Sequence, residues 1–276
     1  MARPPVLEIQ GLRHTFFRDT ANEVPALGGV DLQLQAGDFV IVLGANGSGK
    51  STLLNAVAGT FVPDEGRVTI DGTEVTRWAE HRRAQLVGRV FQNPLSGTAP
   101  HLTVAENLAL ALERTPVRTP FRWALGSARR SELRERVRAL GLGLEERLGA
   151  PIGALSGGQR QALTLLMATL VRPRLLLLDE HTAALDPRSA EQVVRLTQGI
   201  VAEQGLTTLM VTHSMHQAVR LGTRVLMMHR GRVVRDIQGT AKRRLRVEDL
   251  LGTFEELRNM ELLDESASDM LRRLYV

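Results

Sequence analysis

The chain contains no cysteine, which removes disulfides, thiolate nucleophiles and sulfur-ligated zinc from consideration. That composition suits a reducing compartment. There is also no uninterrupted apolar span of the ~18 residues a bilayer-crossing helix needs. The stretch from Ala162 to Val171 is broken by Thr164 and Thr169 and stopped by Arg172-Pro173-Arg174. The opening residues Met1-Ala2-Arg3-Pro4-Pro5 lack the apolar core of a secretion signal. Lysine is nearly missing. Only Lys50 and Lys242 occur, so arginine carries most of a balance in which 35 basic residues stand against 30 acidic ones, for a net charge of +5. No long internal repeat is visible, and 276 residues suffice for one substantial core with a helical insertion.

Against these absences stands one complete motif. Residues Gly44 to Ser51 read G-A-N-G-S-G-K-S, which matches G-x-x-x-x-G-K-[ST], and Thr52 follows. Phe39 to Leu43 reads as a buried strand ahead of it, and Ser51 to Ala58 as a helix behind it. Phosphates are therefore expected at a helix N-terminus, where free N–H groups and the dipole favour anions. Gly44, Gly47 and Gly49 let the backbone approach the ligand, with Asn46 and Ser48 between them. Lys50 brings a compact positive charge to the terminal phosphates, and the Ser51 hydroxyl is a candidate Mg2+ ligand. The competing reading, a glycine-rich turn with an incidental lysine, leaves the flanking strand and helix unexplained.

Three further strand ends carry polar groups. Leu175 to Leu178 reads as a buried central strand delivering Asp179 and Glu180 to the ligand crevice. Asp179 is placed to hold Mg2+ through its hydration shell, and Glu180 to orient or deprotonate the attacking water. An ordinary solvated strand end, or a helix cap, is the alternative for this pair. Gln92 closes the short strand Leu86 to Phe91, before the breaker Asn93-Pro94, and could touch both metal and water; a surface or capping role is the alternative. His213 follows the strand Thr207 to Thr212 and could contact the terminal phosphate and the Glu180-bound water. His14, His81, His101 and His229 have no comparable placement and read as surface or loop residues.

Taken in order, the phosphate loop, Gln92, Leu155-Ser156-Gly157-Gly158-Gln159, the strand ending in Glu180, Ala184-Leu185-Asp186 and His213 resemble the ATP-binding subunits of ABC transporters. The resemblance covers about Leu7 to Leu257. It implies an α/β P-loop NTPase of ABC type, with a mixed sheet core, an antiparallel N-terminal β part and an inserted helical subdomain. ATP and Mg2+ are the implied cofactors. The resemblance further implies a head-to-tail pair, in which Ser156, Gly157, Gly158 and Gln159 of one chain close over the γ-phosphate held by Lys50 of a second copy. Asp186 would couple the two sites, and the signature would open a helix near Gly158 aimed at the partner's phosphate. An aromatic residue upstream of the loop is expected to stack on adenine: Phe16 best fits, Phe17 is the runner-up, and the competing reading buries both rings in the N-terminal sheet.

One departure stands beside the acid. His181 occupies a position where many family members have proline, and this resembles importer ATPases that accompany periplasmic or lipoprotein binding proteins for amino-acid-like solutes. With no membrane segment of its own, the chain is expected at the cytoplasmic face of the inner membrane, held by permease subunits, with an extracytoplasmic substrate-binding protein and import of a small solute. A separate-subunit exporter ATPase and a non-transport ABC-type ATPase acting on nucleic acid are the alternatives. Nucleic acid is disfavoured, because the interval from Gly44 to Leu155 is too compact for a coiled-coil arm and cysteine is absent.

The expected organisation is residues 1–92 and 162–260 as two parts of the ATP-binding core, 93–161 as the helical insertion, and 261–276 as a helical tail. Val6 to Leu12 and Val30 to Leu34 read as edge strands, Arg18 to Ala26 as a loop or hairpin tip, and Gly66 to Gly72 as a hairpin or a strand bounded by glycines. Leu102 to Leu112 and Ser131 to Leu140 read as helices. Two arginine clusters, Arg114, Arg118, Arg122, Arg129 and Arg130 around Phe121 and Trp123, and Lys242 to Arg246, could approach an anionic membrane or a partner's loops; a solvated face is the alternative.

Overall fold

The computed structural model describes residues 4–113 and 126–259. Arg114, Arg118, Phe121, Arg122 and Trp123 of the first arginine cluster, and the tail 261–276, lie outside the described residues.

The N-terminal layer is an antiparallel sheet in the order β2-β1-β4-β5, built from β1 (Leu7–Phe16), β2 (Val24–Leu34), β4 (Glu65–Ile70) and β5 (Thr73–Glu74). The expectation that Val6 to Leu12 forms an edge strand is corrected: β1 pairs with β2 on one side and β4 on the other. Side-chain alternation reports which face is buried, here Leu7, Ile9 and Leu12. It carries no information on how many neighbours the backbone has. Residues 18–23 are the tip of the β1/β2 hairpin, whereas Val24 to Ala26 already belong to β2. The β4/β5 hairpin turns on Asp71-Gly72 with φ of +49° and +76°, the left-handed pair a two-residue turn requires.

The second sheet runs β10-β9-β3-β8-β7-β6. Its strands are β3 (Phe39–Leu43), β6 (Val87–Val90), β7 (Leu175–Asp179), β8 (Thr207–Val211), β9 (Arg224–His229) and β10 (Arg232–Gln238). All neighbours are parallel except β10, which pairs antiparallel with β9 at one edge. Both faces are covered, which is why β3 and β8 are buried throughout, β3 with apolar residues alone and β8 with Thr207 and Thr208 ahead of three apolar ones. On one face Val40, Val42, Leu175 and Leu177 join the core beneath the antiparallel layer and helix α1 (Lys50–Ala58). On the other, Ile41, Leu43, Leu176 and Leu178 pack on α6 (Pro187–Gln204) and α7 (Met215–Arg220). The expected fold class is the one found.

The insertion holds α3 (Val104–Leu112) and α4 (Ser127–Arg138) around a separate core of Val104, Leu108, Leu133 and Val137. Helix α5 (Gly157–Leu170) supplies Leu163 and Leu166 to this core and Leu165 and Ala168 to the one under the parallel sheet. It therefore runs unbroken across residue 161 and serves as a common wall. After α8 (Gly239–Arg244), residues 247–259 form a last helix, α9, with Leu250 buried against the parallel sheet.

Two buried polar contacts fix the elements that flank the crevice. Arg83, at the end of α2 (Glu80–Arg83), is 0% exposed. It donates to Ala56 O and Val57 O at the C-terminus of α1, and to Thr76 O and Trp78 O in the loop before α2. Cations are favoured at a helix C-terminus, and this one fills carbonyls that α1 leaves open. Burial pushes the Arg83 pKa down to about 10, still far above neutrality, so the group is a cation. His181, just beyond β7, is also buried, with Nε2 3.0 Å from Thr197 Oγ1 on α6. That hydroxyl donates to Val193 O at 2.8 Å, so its oxygen accepts and Nε2 carries the imidazole proton.

Replacing Arg83 with Met is expected to cost about 3 kcal/mol in urea unfolding, because buried carbonyls lose their donor. A loss below about 1 kcal/mol would mean that water or local relaxation replaces the guanidinium. His181 gives a pH signature. Burial pushes its pKa down to about 4, whereas the unfolded chain titrates near the ordinary histidine value of 6.5. Between those values the unfolded chain binds a proton that the folded chain refuses, so stability falls as pH drops from 6.5 toward 4. Over that window the wild type should lose up to about 3 kcal/mol more than His181→Leu; parallel pH curves would refute the assignment.

Candidate functional site

The phosphate loop links β3 to α1. Gly49 caps α1 with φ +97°, and a Cβ there would stand 2.6 Å from Ala26 O. A Cβ on Gly44 would stand 2.5 Å from Met228 O, so the loop starts and ends where no side chain fits. Lys50 is buried, and its Nζ donates to Gly44 O and Ala45 O at 2.9 Å each. Burial lowers its pKa, and the charges of Glu180 and Asp179 oppose that shift. Ser48 Oγ is buried with no partner, while Asn46 and Gly47 are exposed at the loop's tip. This cradle, lined by backbone and one ammonium group, fits a polyphosphate.

The parallel register brings the other strand ends to the same edge. Asp179 closes β7 and is hydrogen-bonded to Ser51 in the first turn of α1, with Thr52 next along that turn. Burial raises the Asp179 pKa, and the nearby Arg89 is the largest opposing influence. Glu180 follows with φ +42°, and its N–H extends the ladder to Val211 O at 3.0 Å. Gln92 Nε2 donates to Glu180 Oε2 at 3.4 Å, and His213 Nδ1 lies 3.4 Å from the same oxygen. Gln92 and His213, which come from the ends of two other strands, thus meet on the Glu180 carboxylate. Hard oxygen donors at Ser51 and Asp179 suit Mg2+, whereas the contact of Gln92 is with Glu180.

Leu155 to Gln159 lies elsewhere. Ser156 caps α5 in a reciprocal box: its Oγ accepts from Gln159 N, and Gln159 Oε1 accepts from Ser156 N, each at 3.2 Å. Ser156 and Gly157 are exposed, and no hydrogen bond or ion pair joins residues 156–159 to the phosphate loop among the described residues. Their neighbours are the next motif of the same chain. A Cβ on Gly158 would lie 2.8 Å from Ser189 Cβ, and one on Gly157 3.3 Å from Leu185 Cδ2. Asp186 caps α6 by accepting from Ser189 N at 3.0 Å. Signature and aspartate therefore form one exposed corner.

Upstream, Phe16 is half-buried, edge-on to His14 with ring centres 4.6 Å apart and 5.7 Å from the Phe61 ring. Phe17 is 68% exposed, so the reading that buries both rings is corrected for Phe17. His14 is no surface residue either. It stacks on Phe61 at 4.1 Å and faces Asp64 at 3.4 Å, a consequence of sharing one face of β1 with Phe16.

Sequence reasoning missed two side chains. Gln161, fully buried on α5, donates to Phe91 O at 3.2 Å and ties the signature helix to the Gln92 segment. Arg89 approaches Asp179 at 3.7 Å. A lone arginine inside the apolar run Leu86 to Phe91 was the available signal.

A sequence model of the family described as "ABC transporter" matches residues 27–183. The tyrosine transport ATP-binding protein of Clostridioides difficile (strain R20291) is 40% identical over 250 residues, covering 91% of this chain and 99% of that relative. The methionine import ATP-binding protein MetN of Caulobacter vibrioides is 40% identical over 221 residues, covering 77% of this chain but 61% of its own length. Among solved structures, a dimeric ATP-binding cassette in a post-hydrolysis state bound to ADP and Pi superposes with a TM-score of 0.72 at 29% identity, over 84% of this chain and 98% of that one. With the phosphate loop, the paired acids and the signature helix in the arrangement described, the chain belongs to the ABC transporter family as an ATP-binding, ATP-hydrolysing subunit.

Proposed function

We propose that two copies of this chain, docked on permease subunits at the cytoplasmic membrane face, bind and hydrolyse ATP to drive import of an amino-acid-like solute delivered by an extracytoplasmic binding protein. The observation that carries the chemistry is the meeting of Gln92 and His213 on Glu180 Oε2, beside Lys50 and the Ser51–Asp179 pair. The solute class rests on relatives named for tyrosine transport and methionine import. Relatives named as transport and import ATP-binding proteins are the reason to assign permease partners; among the described residues no helix is long and apolar enough to cross a membrane.

In this reading Gly44, Asn46, Gly47, Ser48, Gly49, Lys50, Ser51 and Thr52 hold the phosphates, and Phe16 stacks on adenine. Ser51, Asp179 and Gln92 would hold Mg2+, which when bound neutralises charge on the phosphate oxygens. Glu180 accepts a proton from the attacking water as the bond between the γ-phosphorus and the bridging oxygen breaks, giving ADP and phosphate. His213 and Gln92 hold that carboxylate in place until nucleotide and water arrive. Ser156, Gly157, Gly158 and Gln159 lie at an exposed helix N-terminus with no tie to their own phosphate loop, which supports their acting on the nucleotide of the second copy. Asp186, packed at the same corner, would relay closure between the two sites.

Glu180→Gln should bind ATP within about twofold of wild type while turnover falls at least ~100-fold, and solute uptake by proteoliposomes carrying the permease and binding protein should stop with it. Wild-type turnover in that variant would remove Glu180 from the role of base. A controlled heterodimer of one Lys50→Ala chain and one Ser156→Arg chain retains a single intact composite site if the signature works in trans. Nucleotide occlusion no greater than in either defective homodimer would show that it does not.

A further inference from the structure

Strand β6 is short, apolar on both sides of its middle, and yet carries Arg89 with only 13% of the side chain exposed. A guanidinium so placed needs several partners, and these come from α1 and the turn after it, from α2, and from the end of β7. Nη2 donates to Asn55 Oδ1 on the phosphate-loop helix α1, and Nη1 donates to Thr60 Oγ1 at 3.2 Å, just past that helix. The cation also stacks over the Phe91 ring at 4.5 Å, next to Gln92. Toward Asp179 Oδ2 it stops at 3.7 Å, and toward Glu80 Oε1 also at 3.7 Å.

These distances divide the work of the group. Nη1 and Nη2 each donate to a neutral oxygen, of α1 or the turn after it, Nε is buried without a partner, and the charge faces the carboxylate at the end of β7. A bidentate bridge would occupy the Asp179 lone pairs. At 3.7 Å the charge orients the carboxylate and leaves those lone pairs to Ser51 and to a cation. From the phosphate loop the carboxylate receives the Ser51 hydrogen bond, while the Lys50 ammonium is turned onto the loop carbonyls.

We propose that Arg89 is a positioning residue of the metal side of the ATP site: moored on Asn55, Thr60 and the face of Phe91, it holds the Asp179 carboxylate at the first turn of the phosphate-loop helix. The inference rests on the reading of Asp179 as the metal-side acid. Outer partners of metal-binding carboxylates typically change metal affinity by about 10- to 100-fold when removed.

The test uses the full chain with Mn2+ as the probe metal, read by electron paramagnetic resonance, and a fluorescent ATP analogue measured with metal and in chelator. Arg89→Met should weaken Mn2+ binding to the nucleotide-loaded protein about tenfold. Nucleotide affinity in chelator should stay within about twofold, since the phosphate cradle is untouched. Arg89→Lys restores a charge on a stem without the fork and should recover part of the loss. In an Asp179→Asn background the effect of Arg89→Met should vanish, because the group it positions is gone. Unchanged Mn2+ affinity in folded Arg89→Met overturns the proposal, as does a parallel fall in metal-free nucleotide affinity and melting temperature, which would mark ordinary structural loss. If Arg89→Met does not fold, Asn55→Ala removes the mooring instead; a loss of about threefold in Mn2+ affinity supports the proposal and none overturns it. If Asp179→Asn alone leaves Mn2+ affinity intact, the reading of Asp179 fails, whatever Arg89 does.

Discussion

The site depends on the register of four adjacent parallel strands. Val90 stands opposite Leu178, Asp179 opposite Val211, and Val42 opposite Val211 across the next ladder. With those pairs set, the residues that leave the strands at their carboxyl ends emerge at one height: Gln92 from β6, Glu180 from β7, His213 from β8 and Gly44 from β3. A slip of one residue in any ladder would turn its side chains to the opposite face and move its polar end along the crevice. In β7, Leu175 and Leu177 face one apolar core and Leu176 and Leu178 the other, so a slip would draw Asp179 into one of those cores or push a leucine out. Hydrophobic burial thus enforces the alignment of groups that are themselves polar.

Electrostatics then works within a frame it did not build. Asp179 is a partly buried acid between a hydroxyl and a guanidinium, and Lys50 is a buried ammonium satisfied by carbonyls. Each charge has a local counterpart, which limits the desolvation penalty of gathering them. Helix α5 links this frame to the insertion, because Gln161 reaches the carbonyl of Phe91 while Ser156 caps the N-terminus of the same helix five residues earlier. The Gln92 segment and the signature are therefore tied to one end of one helix, with no loop in between.

Most of the polar ends were legible before the fold, because short motifs occurred in order next to strands of unmistakable apolarity. Glu180, Gln92 and His213 converge as the sequence implied. What stayed hidden has a common physical cause: it depends on neighbours distant in sequence. The two-sided pairing of β1 is a property of backbone edges, which side-chain alternation does not encode. His14 looked like a surface residue because Phe61, its stacking partner, is 47 positions away, the difference of the two residue numbers. Arg89 and Gln161 were visible as polar residues in apolar runs, but their targets, Asp179 and the Phe91 carbonyl, appear only when β6, β7 and α5 pack together.

The backbone of Glu180 sits in the left-handed region, at φ +42°, where a side chain with a Cβ is held at a cost of order 1–3 kcal/mol. Glycine would relax there, and the carboxylate would be lost with the strain. In the role proposed for Glu180, conformational ease and hydrolysis therefore pull in opposite directions at a single backbone position, and drift toward the easier one removes the proton acceptor while leaving the Lys50 cradle as it is.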